Sequence, residues 1–166
     1  TPFVQGTIDD LLLRAIHAHN EGNLEEAVII YTKILDSVSE KDKNVIAVIR
    51  KHRGMAYFSM NDYKNALADF EVSLQFDPKA YRTHYYKGIV YSITKDYENA
   101  CSCFETSLEI NPFQAHTNFR LAMAYYEIQE YEKSMNALNT AIKLGMDPDE
   151  CKVLNDKLVK KFGLGM

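Results

Sequence analysis

The sequence predicts an all-α fold, an α-solenoid of four helical hairpins followed by a C-terminal capping helix. The 166 residues include only 7 Gly and 4 Pro, too few for a many-turned all-β chain. Similar residues recur every 34 positions over three units, a period typical of stacked helical hairpins. After Gly145, apolar residues follow one another at helical spacing.

The 34-residue period holds in several columns at once. Small, aromatic and alanine positions repeat together: Gly54, Gly88 and Ala122; Tyr57, Tyr91 and Tyr125; Tyr63, Tyr97 and Tyr131; Ala66, Ala100 and Ser134; and Phe70, Phe104 and Leu138. Pro78 and Pro112 close the first two of these units. Agreement over this many columns indicates a structural repeat.

The order of small residue, aromatic, Ala, aromatic and Pro resembles the tetratricopeptide repeat (TPR). The resemblance implies two antiparallel helices in each unit, with the first helices lining a concave, protein-binding face. We therefore expect one domain over residues 1–166. Its repeats would lie at about 8–41, 47–80, 81–114 and 115–148, with the capping helix at about 148–162.

The first and fourth units depart from the pattern. Ala27 and Ala66 are 39 residues apart instead of 34, and the extra five fall around residues 39–46, as a longer loop or an extension of the flanking helices. In the fourth unit Met146 takes the proline position, and Gly145 before it suits a helix C-cap.

The last helix has its own start signal. Asp147, Pro148 and Glu150 occupy N-cap, first-turn and third positions. Its apolar stripe would cover the exposed face of the last hairpin; it consists of Cys151, Leu154, Leu158 and Phe162. Its basic residues suit solvent and the helix dipole better than a docking patch; they are Lys157, Lys160 and Lys161.

Within each hairpin, small residues allow close approach of the helices and aromatic residues fill the space beside them. In the third unit we expect Gly88 and Ala100 at the close approach, with Tyr91, Tyr97 and Phe104 packed around them. Replacing Phe104 by Ala should cost roughly 3 to 5 kcal/mol.

A second apolar and cationic stripe remains on the first helices after the packing residues are assigned. We expect it to form a peptide-binding groove made of Lys51, His52, Met55, Phe58, Arg82, Tyr85, Tyr86, Ile89, His116, Phe119, Arg120, Met123 and Tyr126. Ile89 and Met55 sit mid-stripe and are expected to touch neighbouring first helices. The second helices show polar outer faces, for example Lys64, Asp69, Glu71 and Gln75.

Such a groove suits a peptide or short amphipathic helix with apolar anchors and acidic or C-terminal carboxylate groups. The chain would act as a protein-binding adaptor or scaffold module. Two other interpretations stay open: self-association, with the groove filled by residues 1–7 or by another copy, and a small secretion-type TPR chaperone. A two-carboxylate clamp for chaperone C-termini is disfavoured. Its five positions hold Lys51, Met55, Tyr86, His116 and Arg120, and both expected Asn residues are missing.

Other function classes are disfavoured. A net charge of −4 does not suit general binding of nucleic acid or anionic membranes. No nucleotide-binding or nucleophile motif occurs, so we expect neither an enzyme nor a cofactor. Cys101, Cys103 and Cys151 fit neither a disulfide framework nor metal-ligand spacing, and they indicate a reducing, cytoplasmic setting.

Overall fold

The computed structural model describes residues 5–163, and the side chains of residues 5 and 6 are not part of the description. Within this range the chain forms nine helices and no strand. They are α1 (Gln5–Asn20), α2 (Leu24–Ser37), α3 (Lys43–Ser59), α4 (Tyr63–Phe76), α5 (Tyr81–Ile93), α6 (Tyr97–Ile110), α7 (Ala115–Glu127), α8 (Tyr131–Lys143) and α9 (Pro148–Gly163). The predicted all-α repeat fold is confirmed.

The helices divide into two compact units between Ala80 and Tyr81. Unit 1 holds α1 to α4, and unit 2 holds α5 to α9. In both units consecutive helices pair as hairpins, α1 with α2, α3 with α4, α5 with α6, and α7 with α8. The second helix of one hairpin also packs on the first helix of the next, α2 on α3 and α6 on α7.

The turn inside each hairpin repeats with the same 34-residue period. Asn61, Lys95 and Gln129 take left-handed backbone conformations with φ near +60°, and Gly22 does so in the first hairpin. Two of the following helices are capped alike: Asp62 accepts from the backbone N–H of Asn65, and Asp96 from that of Asn99. The period therefore describes backbone geometry as well as residue type.

The five extra residues in unit 1 mainly lengthen a helix. Helix α3 has 17 residues, whereas α5 and α7 have 13 each. The connection before α3 is residues 38–42, only one residue longer than residues 77–80 before α5. Of the two alternatives left open by the sequence, helix extension accounts for four of the five residues.

Close helix packing follows the predicted small and aromatic columns. Gly88, Ala100 and Phe104 are buried, whereas Tyr91 and Tyr97 are only partly buried and edge the core. A serine hydroxyl ties the second helix to the first in three hairpins: Ser73 donates to the Ala47 carbonyl at 2.7 Å, Ser107 to the Tyr81 carbonyl at 2.8 Å, and Ser134 to the Ala122 carbonyl at 2.6 Å. Sequence reasoning did not identify these bonds.

Asp69 corrects the expectation that α4 carries it on a polar outer face. Its side chain is 1% exposed and accepts from Arg53 Nε at 2.8 Å, Arg53 Nη2 at 2.8 Å and Arg50 Nη1 at 3.0 Å. Arg53 also donates to Thr32 Oγ1 at 3.1 Å. The carboxylate is buried because two arginines of α3 meet it there, so this cluster links α2, α3 and α4.

Helix α9 packs on α7 and α8. Asp147 Oδ1 accepts from the Asp149 backbone N–H at 2.9 Å, and Gly145 has φ +107°, as the start and stop signals predicted. Cys151, Leu154 and Leu158 are buried. Phe162, in the last turn of α9, is 54% exposed, so its assignment to the packed stripe was wrong.

None of the helices in residues 5–163 combines the length and apolar character needed to cross a membrane.

Candidate peptide-binding site

The predicted groove residues of α3 lie in unit 1 and are all partly buried; they are Lys51, His52, Met55 and Phe58. The His52 ring stacks on Tyr31, with centroids 6.0 Å apart and planes 14° from parallel. Burial, together with the smaller effects of nearby Lys51 and His19, lowers the pKa of His52 to about 4. His52 is therefore a neutral packing residue at pH 7.

Four of the predicted residues come together in unit 2. Arg82, Tyr85 and Tyr86 of α5 and His116 of α7 line a groove of about 400 Å³. Its remaining lining is Tyr81, Phe113, Gln114, Ala115 and Thr117. This α5–α7 groove presents exposed Arg82 and His116, and Phe113 is 81% exposed at its edge.

The aromatic floor of the α5–α7 groove is anchored in the core. The Tyr85 ring lies 5.9 Å from that of the fully buried Phe104, and Tyr86 meets Tyr85 edge-on at 5.3 Å. Aromatic pairs in these geometries are favourable contacts. Tyr85 and Tyr86 therefore keep defined positions while part of each ring remains open to solvent.

One wall of the groove is held by Gln114, which sequence reasoning missed. Its side-chain amide donates to the Asn111 carbonyl at 2.6 Å and the Ser107 carbonyl at 3.0 Å, and its oxygen accepts from Thr117 Oγ1 at 2.8 Å. The Phe113 backbone N–H donates to Asn111 Oδ1 at 3.1 Å. An apolar residue directly after Pro112 and before a helix start was the signal that could have identified Phe113.

Three other predicted residues face α9. Phe119, Met123 and Tyr126 line a smaller cavity of about 140 Å³, together with Glu127 and the α9 residues Glu150, Val153, Leu154 and Lys157. The Lys157 ammonium lies 5.7 Å from the Tyr126 ring centroid. Helix α9 therefore forms one wall of this α7–α9 cavity as well as covering the last hairpin.

The last two predicted residues differ in exposure. Ile89 is 8% exposed and belongs to the core, so it presents no open surface. Arg120 is exposed on α7. A third cavity, of about 610 Å³ in unit 1, contains none of the predicted residues; it is lined by Gly22, Asn23, Leu24, Glu25, Glu26 and Met60.

A sequence profile of the tetratricopeptide repeat matches residues 52–79, 81–114 and 115–144, more than half of the chain. The chain belongs to the tetratricopeptide repeat family. Membership supports a protein-interaction module as its general class of function. No curated protein sequence matches the chain.

Solved structures share this TPR fold at low sequence identity. A crystal structure of MamA is 16% identical, with a TM-score of 0.76, covering 88% of this chain and 80% of MamA. MamA from Desulfovibrio magneticus RS-1, from residue 41 to its end, is 24% identical, with a TM-score of 0.75 and coverages of 87% and 78%. BtubC from P. vanneervenii is 16% identical, with a TM-score of 0.75 and coverages of 85% and 66%. These likenesses show the fold.

The three cysteines form no disulfide and are buried; they are Cys101, Cys103 and Cys151. Burial raises the pKa of Cys101 to about 12, and it raises the pKa of Cys151 as well. Among residues 5–163 no three His, Cys, Asp or Glu side chains converge as a metal site would require.

The self-association prediction involves residues 1–7, and residues 1–4 lie outside the described part of the chain. It stays a prediction, which sedimentation velocity over a range of protein concentrations would check.

Proposed function

We propose that this TPR domain is an interaction module that binds a peptide or short helix in the α5–α7 groove of unit 2. The observation that carries the proposal is the side-chain arrangement there. Tyr85, which contacts buried Phe104, and Tyr86, which contacts Tyr85, form an open floor. Exposed Arg82 and His116 also line the groove. Concave surfaces that combine aromatic and cationic groups are common features of binding sites.

The aromatic lining of the groove and the exposed arginines of α5 and α7 favour a ligand with apolar anchors and carboxylates. Arg82 and Arg120 are exposed cations on α5 and α7, and a guanidinium can hold a carboxylate with two parallel hydrogen bonds. Three or four anchors at roughly 1.5 to 3 kcal/mol each, against an association cost of about 4 kcal/mol or more, point to binding of micromolar order. Reversible recruitment by an adaptor or scaffold suits that strength.

A displayed library of random 12-residue peptides would test the proposal. Selection on the wild-type protein should enrich peptides with apolar and acidic residues. The variant Tyr86→Ala with Arg120→Glu should bind the selected peptides at least about tenfold more weakly, a loss of ~1.4 kcal/mol. Its thermal midpoint should fall by no more than about 4 °C, because both side chains reach solvent.

Lys64→Glu provides a matched control, since it reverses an exposed cation on α4 outside the groove. It should bind the selected peptides as the wild type does. The proposal fails if no peptide is enriched, or if the groove variant and the Lys64→Glu variant retain binding equally.

A further inference from the structure

The exposed face of α7 changes charge along its length. His116, Arg120, Met123 and Glu127 are all exposed and follow one another at spacings of four, three and four residues. Residues at these spacings share one side of a helix. The stripe therefore runs from an imidazole and a guanidinium, through a thioether, to a carboxylate at the last residue of α7.

Helix stability does not explain this order. The helix dipole favours acidic residues in the first turn and basic residues in the last, and Glu127 stands at the opposite end from the one favoured. Within residues 5–163 neither Arg120 nor Glu127 makes an ion pair with another side chain. Both charges are available to a ligand.

Each end of the stripe opens into a different cavity of unit 2. The first end, at His116, joins the α5–α7 groove, which exposed Arg82 also lines. The other end joins the α7–α9 cavity, where Glu150 adds a second carboxylate beside Glu127. Lys157 also lines that cavity, with its ammonium over the Tyr126 ring, and its single positive charge offsets only one of the two carboxylates.

The α7–α9 cavity has the size and lining of an anchor pocket. Its volume of about 140 Å³ is close to that of an apolar protein cavity able to hold benzene. Met123 is 41% exposed and Val153 is 69% exposed at its mouth, and Leu154 is buried at its base. One aliphatic or aromatic side chain of a ligand would bury these surfaces.

We propose that unit 2 selects a bipolar peptide. An acidic residue lies against Arg82 and Arg120, an apolar side chain enters the α7–α9 cavity, and a basic residue next to it meets Glu127 and Glu150. This inference rests on the proposed function, because the acidic end uses the α5–α7 groove. Along α7 the distance from Arg120 to Glu127 is about 10 Å at ~1.5 Å per residue, so about three residues of extended peptide separate the two charges.

Fluorescence anisotropy with labelled 12-residue peptides tests the inference. The bipolar peptide carries Asp and Glu near one end, Lys and Arg near the other, and Leu and Phe between them; its reversed sequence covers the opposite chain direction. A third peptide keeps the apolar residues and replaces both basic residues with Glu. Wild-type protein should bind one of the two bipolar peptides at least about tenfold more tightly than the all-acidic peptide.

Reversing the charge of the two carboxylates at the α7–α9 cavity should invert that preference. The variant Glu127→Lys with Glu150→Lys should lose about tenfold in affinity for the bipolar peptide and gain affinity for the all-acidic one. The matched control Glu98→Lys with Glu109→Lys makes the same charge change on exposed positions of α6 and should keep the wild-type preference. All proteins should show equal helical circular dichroism, which would exclude unfolding as the cause. The milder Glu127→Gln with Glu150→Gln variant removes the charges without reversing them.

The outcomes distinguish the two proposals. If the peptides bind and Tyr86→Ala with Arg120→Glu abolishes binding, but the bipolar and all-acidic peptides bind equally, peptide binding stands and the bipolar selection is wrong. If the α6 control variant changes peptide affinity as much as the Glu127→Lys with Glu150→Lys variant does, the preference comes from the overall charge of the protein. In that case the inference is also wrong. If no peptide binds wild-type protein, both proposals are overturned.

Discussion

The ring of Phe104 lies in the space that a Cβ on residue 88 would need. A Cβ built on Gly88 would be 2.5 Å from Phe104 Cε1, and one on Gly54 would be 2.7 Å from Phe70 Cε1. In the next unit the same two columns hold Ala122 and Leu138, both fully buried. Glycine in the first column therefore occurs with phenylalanine in the second, and alanine in the first occurs with the smaller leucine in the second.

We expect Gly88→Ala to destabilise the protein by about 1 to 3 kcal/mol, because the added methyl group overpacks the core by more than the helix gains from alanine. Adding Phe104→Leu, which reproduces the Ala122 and Leu138 pair, should recover part of that loss. Urea unfolding of the wild type, both single variants and the double variant gives the coupling free energy. If the double variant is no more stable than the sum of the two single-variant effects predicts, the two positions are not complementary.

The repeat period made much of this packing readable from the sequence, because it assigns each column a fixed place in the hairpin. The same columns could have predicted that Asp69 is buried. Residues 34 and 68 positions after it are Cys103 and Ala137, both buried, so this column faces inward. Its arginine partners do not repeat, and a charge with no visible partner was assigned to the outer face.

The cavity at α9 was less predictable. The apolar stripe indicated that α9 covers the last hairpin, but not that it forms a wall before Phe119, Met123 and Tyr126. The direction in which α9 leaves the turn depends on the backbone at Gly145, with φ +107°, and on the packing of Cys151 and Leu158. Neither can be derived from a 34-residue pattern that ends before α9 begins.

Asp69→Asn should lower the free energy of unfolding by roughly 3 kcal/mol, because it leaves Arg53 and Arg50 without their buried carboxylate. This is the lower end of the usual range, since the Arg50 side chain is 32% exposed. Urea unfolding measures the change, and Asp10→Asn, an exposed change on α1, should be neutral.

Replacing the ion-pair cluster with the residues of the fourth unit identifies why Asp69→Asn destabilises the protein. The fourth unit holds Asn118, Leu121 and Ala137 in the columns of Arg50, Arg53 and Asp69. The variant Arg50→Asn, Arg53→Leu and Asp69→Ala should be more stable than Asp69→Asn, because it removes the uncompensated charges. A triple variant less stable than Asp69→Asn would show that the ion pairs themselves provide the stability.

His52 should make stability fall with pH below about 6.5. Its pKa is about 4 in the folded protein and near the ordinary histidine value of 6.5 when unfolded, so the unfolded chain binds more protons between these values. Its contribution is full above pH 6.5 and is lost as pH falls toward 4, by at most about 3 kcal/mol. Urea unfolding gives the free energy of unfolding at pH 7 and at pH 5. The difference between the two values should be smaller for His52→Gln than for the wild type. His17→Gln, at an exposed position, should show the wild-type difference.

The three thiols should resist Ellman's reagent in the folded protein and react fully in urea. Cys101, Cys103 and Cys151 are 4%, 9% and 0% exposed. The thiolate is the reacting form, and with its pKa near 12 Cys101 would hold only about one part in 10⁴ as thiolate at pH 8.

Ser102→Cys supplies the matched control for thiol reactivity, because it places an exposed thiol between Cys101 and Cys103 on the same helix. We expect that thiol to react at least about a thousandfold faster than the native three, at a rate set by its ordinary pKa. Gly88→Ala should speed the reaction of Cys101 and Cys103 by making the opening of unit 2 more frequent. Rapid reaction of any native thiol in folded wild-type protein would contradict the packing of α6 between α5 and α7, or that of α9 against the last hairpin.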